Sequence, residues 1–129
     1  MSARLDKGGR VGRRRVMIEF MNEPRPAELG LTIEELQRII AETYGAKDAA
    51  RGDVATFSWF IEEVGELATA LREDDHEALA AEMADVLAWL VSLANIRGVE
   101  LAAAVRRKYG HSCPGCQSVP CQCDPTLKP

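Results

Sequence analysis

Aromatic residues are scarce in this 129-residue chain, at 5% of the total, and histidine occurs twice. So few rings suit packing between small-residue helices better than a β-sandwich, whose strands draw on aromatic and β-branched side chains. No run of eighteen apolar residues occurs, which argues against a transmembrane helix. The first twenty residues are basic (Arg13, Arg14, Arg15) but lack the apolar stretch of a secretory signal. Cysteine is missing until residue 113. Disulfides within so short a tail would tie it only to itself, so a disulfide-stapled secreted fold is not expected, and a cytoplasmic location is.

What is present is helical. The hydrophobic share of 47% is enough for a core. Residues 1–30 hold Gly8, Gly9, Gly12, Pro24, Pro26 and Gly30 without a period and read as a flexible basic arm. Thr32 and Glu35 have the spacing of a capping box, opening a first helix to about Tyr44. Gly45–Asp53 reads as a loop carrying Lys47, Asp48 and Arg51. A second helix is expected over Val54–Arg72, with Phe57, Phe60, Ile61, Val64, Leu67, Ala68 and Leu71 inward. A third follows over His76–Arg97 behind an Asp75 cap, with Leu79, Met83, Val86, Leu90 and Leu93 inward. Gly98 ends it, and Val99–Tyr109 forms a short fourth. The class is all-α, one domain over residues 31–110, followed by a cysteine-rich tail over 111–129.

Charge is distributed unevenly. Residues 31–109 carry eight basic and fifteen acidic residues. That body repels nucleic-acid phosphate, so a nucleic-acid partner is not expected. Within it, Glu62, Glu63 and Glu66 lie on helix two, and Glu82 and Asp85 on helix three. Residues three apart share a helix face, and like charges there cost roughly 0.2–0.5 kcal/mol per pair. An exposed acidic face normally interleaves Lys or Arg, yet none occurs between Trp59 and Ala70. Trp59 and Trp89 sit one turn from the two acidic pairs, on the same stripes, as candidate platforms for a base. Antiparallel packing of the two helices brings four carboxylates to one spot, which calls for protons or a metal. Oxygen ligands without histidine favour Mg²⁺, with Mn²⁺ as a substitute. A carboxylate-held Mg²⁺ commonly completes its shell with water and substrate phosphate.

Glu62-Glu63-x-x-Glu66 followed by Glu82-x-x-Asp85 resembles the EExxE…ExxD signature of the MazG-like all-α nucleoside triphosphate pyrophosphohydrolases. The resemblance runs over about residues 31–110. It implies a four-helix bundle completed by oligomerisation, as a homodimer or homotetramer. It also implies hydrolysis of a nucleoside triphosphate to monophosphate and pyrophosphate, in nucleotide-pool control or house-cleaning. Glu63, Glu66, Glu82 and Asp85 would ligate Mg²⁺. Glu62, about 100° away around the helix, is an outer ligand, a general base or a surface residue. Asn95 and Lys108 match positions where the family often carries polar and basic residues near the phosphates; Lys47 and Arg51 are weaker candidates for the same work. Phosphoribosyl-ATP pyrophosphohydrolases share this kind of site and stand as an alternative.

Cys113, Cys116, Cys121 and Cys123 form CxxC, a four-residue gap and CxC. Four thiolates suit tetrahedral Zn²⁺ in a small knuckle, with His111 a possible substitute ligand. The hydrolase signature does not require this tail. A non-enzymatic adaptor, binding through the zinc knuckle and basic arm, is the competing reading.

Overall fold

The computed structural model describes residues 30–126. The arm expected over residues 1–30 thus lies, apart from Gly30, outside the described residues, as do the last three residues of the tail. Four helices follow one another: α1 (Ile33–Arg51), α2 (Asp53–Glu73), α3 (His76–Arg97) and α4 (Leu101–Tyr109). No strand occurs among the described residues.

The helix ends follow from local chemistry. The Thr32 hydroxyl accepts from the Glu35 amide at 3.1 Å, and the Glu35 carboxylate accepts from the Thr32 amide at 2.9 Å, closing the expected capping box. Asp75 caps α3 by accepting from the Ala78 amide at 3.0 Å. Gly98, at φ 64°, lets the chain turn back, and the Val99 amide donates to the Ala94 carbonyl at 2.8 Å.

The expected loop at Gly45–Asp53 is not there: α1 continues to Arg51. Gly45 costs a helix on the order of 1 kcal/mol relative to alanine, but Ala46, Lys47, Ala49, Ala50 and Arg51 are all good helix formers. The break falls instead at Gly52, whose φ of 81° favours glycine and whose amide still donates to the Asp48 carbonyl at 2.9 Å. The fourth helix begins at Leu101 rather than Val99, because Gln37 holds the turn. Its side-chain amide donates to the Val99 carbonyl at 2.7 Å and its oxygen accepts from the Leu101 amide at 3.1 Å.

Only the two residues Asp74 and Asp75 separate α2 from α3, so the pair packs as an antiparallel hairpin, the most extensive helix contact in the fold. Helix α1 lies mainly against α3, and α4 packs on α1. Among the described residues the buried apolar side chains are Ile40, Ala70, Val91 and Ala94. Several residues expected to face inward are exposed instead: Phe57, Ile61, Val64, Leu71, Met83 and Leu90. A hairpin has two broad sides, and among the described residues α1 covers one of them.

Helix α3 is also long and apolar enough to cross a membrane by length and composition, which counting unbroken apolar runs did not reveal. In the fold it is the central helix, packed against both α1 and α2, and it carries the buried carboxyl of Glu82.

Candidate metal centre

Antiparallel packing sets the register of the α2–α3 hairpin, with matched residues equidistant along the chain from Asp74. Trp59 then pairs with Trp89, Glu63 with Asp85, and Glu66 with Glu82. Carboxylate oxygens of Glu63, Glu66 and Glu82 all lie within 4.8 Å of one another. Glu82 is buried, and Glu63 and Glu66 are half-buried. Asp85, half-buried one turn further along α3, lies outside that trio, although its charge acts on Glu63. Burial first, then the charges of Asp85 and Glu66, hold the Glu63 carboxyl above the ordinary glutamate range. A hydrogen bond from Trp89 works in the opposite direction.

The tryptophans do more than flank the cluster. Their rings stack on each other, centroids 6.1 Å apart and planes at 15°. The Trp89 indole N–H donates to Glu63 Oε1 at 3.2 Å, which fixes one carboxylate oxygen and leaves the other for a ligand. The Arg51 guanidinium lies over the Trp89 ring, 4.9 Å from its centroid. Arg51 also pairs with Asp48 Oδ1 at 3.0 Å and donates to the Thr56 hydroxyl at 3.2 Å. Thr56, fully buried, donates in turn to the Gly52 carbonyl at 2.7 Å. The α1–α2 junction is thereby tied to the ring that braces Glu63.

A loop at Gly45–Asp53 hides this chain of contacts, because Asp48 and Arg51 then share no helix face. On a continuous helix their three-residue spacing puts them on one face. The alanine-rich run after Gly45 was the available signal.

The remaining candidates lie elsewhere. Glu62 is exposed at the rim of the cluster. The Asn95 amide donates to the Gln37 carbonyl at 3.1 Å, so it fastens α3 to α1. Lys108 is on α4, its ammonium 5.3 Å from the Tyr109 ring centroid. With Arg107 and His111 it lines a cavity of about 490 Å³ against Cys113, Pro114 and Gln117. Lys47 and His76 are exposed.

The four cysteines do converge, all as free thiols. Cys113 Sγ lies 3.4 Å from Cys121 Sγ and 3.8 Å from Cys123 Sγ, and Cys116 Sγ lies 3.8 Å from Cys121 Sγ.

The fold is all-α, and its close trio of carboxylates across an antiparallel helix hairpin, with no nitrogen or sulfur donor among them, is the donor set that a hard divalent cation favours. The particular family is then explicit. The MazG nucleotide pyrophosphohydrolase domain matches residues 52–116, half of the chain, and the chain belongs to that family. Divalent-metal use is typical of the family, and the donor set here fits it. No curated protein matches the chain. The match begins at the Gly52 break, so α1 with its Asp48–Arg51 pair lies outside it.

Proposed function

We propose that the protein hydrolyses a nucleoside triphosphate at the α–β phosphoanhydride bond. Water adds to phosphorus, the bond to the bridging oxygen breaks, and a nucleoside monophosphate and pyrophosphate leave. The observation that carries this reading is the Glu63–Glu66–Glu82 trio, within 4.8 Å, on a hairpin of pyrophosphohydrolase type.

Glu63, Glu66, Glu82 and Asp85 are the residues that would hold Mg²⁺, or Mn²⁺ in its place. When bound, the ion neutralises triphosphate charge and gives the reacting oxygens a common template. The protein's own work is positional. Trp89 fixes the orientation of Glu63 through its indole N–H. Glu62, exposed beside Glu63, would accept a proton from the attacking water. Trp59 keeps 39% of its surface exposed, and that open side offers the base a stacking surface. Arg51, over the Trp89 ring that braces Glu63, answers charge on the phosphates. Lys108, at the end of α4, is the cation that would offset charge developing on the pyrophosphate leaving group.

The same reading includes a homodimer or homotetramer. The exposed Phe57, Ile61, Val64, Met83, Leu87 and Leu90 make an apolar surface on the α2–α3 hairpin that a second copy would cover. It assigns the protein to the cytoplasm, where free thiols persist, and to nucleotide-pool control or house-cleaning.

The test is a product assay with Mg²⁺ and a panel of ribo- and deoxynucleoside triphosphates, separated by chromatography. Monophosphate plus pyrophosphate, absent with the Glu63→Gln, Asp85→Asn double variant, is the expected result. Diphosphate plus phosphate would overturn the bond assignment. No turnover of any of these substrates by folded protein would overturn the substrate class.

A further inference from the structure

Residues 110–126 contain no helix or strand, and among their side chains Val119 is 78% exposed. Nothing apolar holds this stretch together, yet four thiols from it meet at one point. The stretch is ordered by a few backbone hydrogen bonds: Gln117 N–H to the Cys113 carbonyl at 2.8 Å and Cys113 N–H to the Ser118 carbonyl at 3.3 Å. Gln117 takes a φ of 57°, which turns the chain back after Cys116.

The sulfur spacing identifies what the cluster is shaped for. A disulfide needs about 2.05 Å between sulfurs. A tetrahedral ion with metal–sulfur bonds of about 2.3 Å needs sulfur–sulfur edges of about 3.8 Å. The observed separations of 3.4, 3.8 and 3.8 Å fit the second and not the first. Backbone amides also point at the sulfurs, as they do around metal-bound thiolates. Gln122 N–H donates to Cys116 Sγ at 3.2 Å, and Cys123 N–H donates to Cys121 Sγ at 3.4 Å.

We propose that Cys113, Cys116, Cys121 and Cys123 bind one Zn²⁺ as a closed tetrahedral site that folds the segment after α4 into a knuckle. Each thiol gives up its proton on binding and the ion keeps its oxidation state, so no oxidant or reductant enters. Four protein ligands leave no open position, so the ion holds structure and activates no water. The domain match ends at Cys116, leaving Cys121 and Cys123 beyond it, so the site is a feature of this chain's own tail. Its ordered loop forms one wall of the cavity shared with Arg107, Lys108 and His111.

Elemental analysis of the full-length protein, purified without added metal or chelator, tests this. About one zinc per chain is expected, released when a mercurial thiol reagent is added and read with a chromogenic chelator. Co²⁺ exchanged into the site should give the intense visible bands of tetrahedral tetrathiolate coordination. The Cys113→Ser, Cys121→Ser double variant should lose the zinc while keeping its helical circular dichroism. The Glu63→Gln variant should keep it, which separates this site from the carboxylate trio. Fewer than about 0.1 zinc per chain in protein with four titratable thiols would overturn the proposal. So would zinc retained by the double cysteine variant, or iron in place of zinc.

Discussion

Replacing Glu63 with Gln should make the metal-free protein more stable while abolishing its response to Mg²⁺. The carboxylates of Glu66 and Glu82 lie within 4.8 Å of Glu63. At that separation two unit charges repel by about 0.9 kcal/mol in water and about 3.5 kcal/mol at an effective dielectric of 20. Glu63 is half-exposed, so solvent and salt favour the lower figure, roughly 1 kcal/mol for each neighbour. Glutamine keeps the side chain's shape and still accepts the Trp89 indole N–H, so its main effect is to delete charge. Each kcal/mol so relieved corresponds to a melting-temperature rise of about 4–8 °C in a small domain.

The pH dependence carries the same information. Because burial and like charges raise the Glu63 pKa above its unfolded value, the native state binds more protons than the unfolded state between those two values. Wild-type stability therefore falls as pH rises through that window, and the full penalty is present above it. The advantage of the variant should be largest at pH 7.5–8 and shrink as pH falls toward the ordinary glutamate value. Mg²⁺ should raise the wild-type melting temperature more at pH 8 than near pH 5, and leave the variant's almost unchanged. Scanning fluorimetry with and without Mg²⁺ across that range reads all three effects. A variant less stable than wild type at pH 8 without metal, or one still stabilised by Mg²⁺, would refute the reasoning.

Trp89→Phe keeps a ring against Trp59 but removes the indole N–H that lowers the Glu63 pKa, so the acid limb of the rate–pH profile should move to higher pH, with kcat down several-fold. Thr56→Val deletes a fully buried hydroxyl that both donates to the Gly52 carbonyl and accepts from Arg51; chemical denaturation should show a loss of about 1–3 kcal/mol. Gln37→Ala removes two hydrogen bonds at the α3–α4 turn, and should cost about 1–3 kcal/mol and raise amide exchange along α4. If a second copy covers the exposed hairpin, Ile61→Glu should shift the chain to a smaller species in light scattering coupled to size exclusion, with helicity retained.

The carboxylate site was legible in the sequence because it violates an ordinary rule. Like charges repeated along one helix face, without interleaved cations, require a reason, and helical spacing alone is enough to find them. Closing the hairpin needed only the Asp74–Asp75 connection, since so short a link leaves two helices few ways to pack other than antiparallel. The Asp48–Arg51–Thr56 brace was hidden for the opposite reason, because nothing local about it is anomalous. Gly45 has the look of a stop but is a weak link inside a strong helix, and the positive φ that ends α1 belongs to Gly52. The exposed apolar residues are a different case. Periodicity identifies an apolar face but not what covers it, and Phe57, Ile61 and Met83 have the spacing of core residues while standing exposed in one chain. The second face of the hairpin has the apolar spacing of a buried one, and among the described residues no helix covers it; the proposed second copy would. The exposed apolar side of the hairpin and the carboxylate side are built on the same two helices. An assembly on the first would stiffen the frame that holds Glu63 and Glu82 together against their repulsion, so loss of assembly in Ile61→Glu should be accompanied by weaker Mg²⁺ stabilisation.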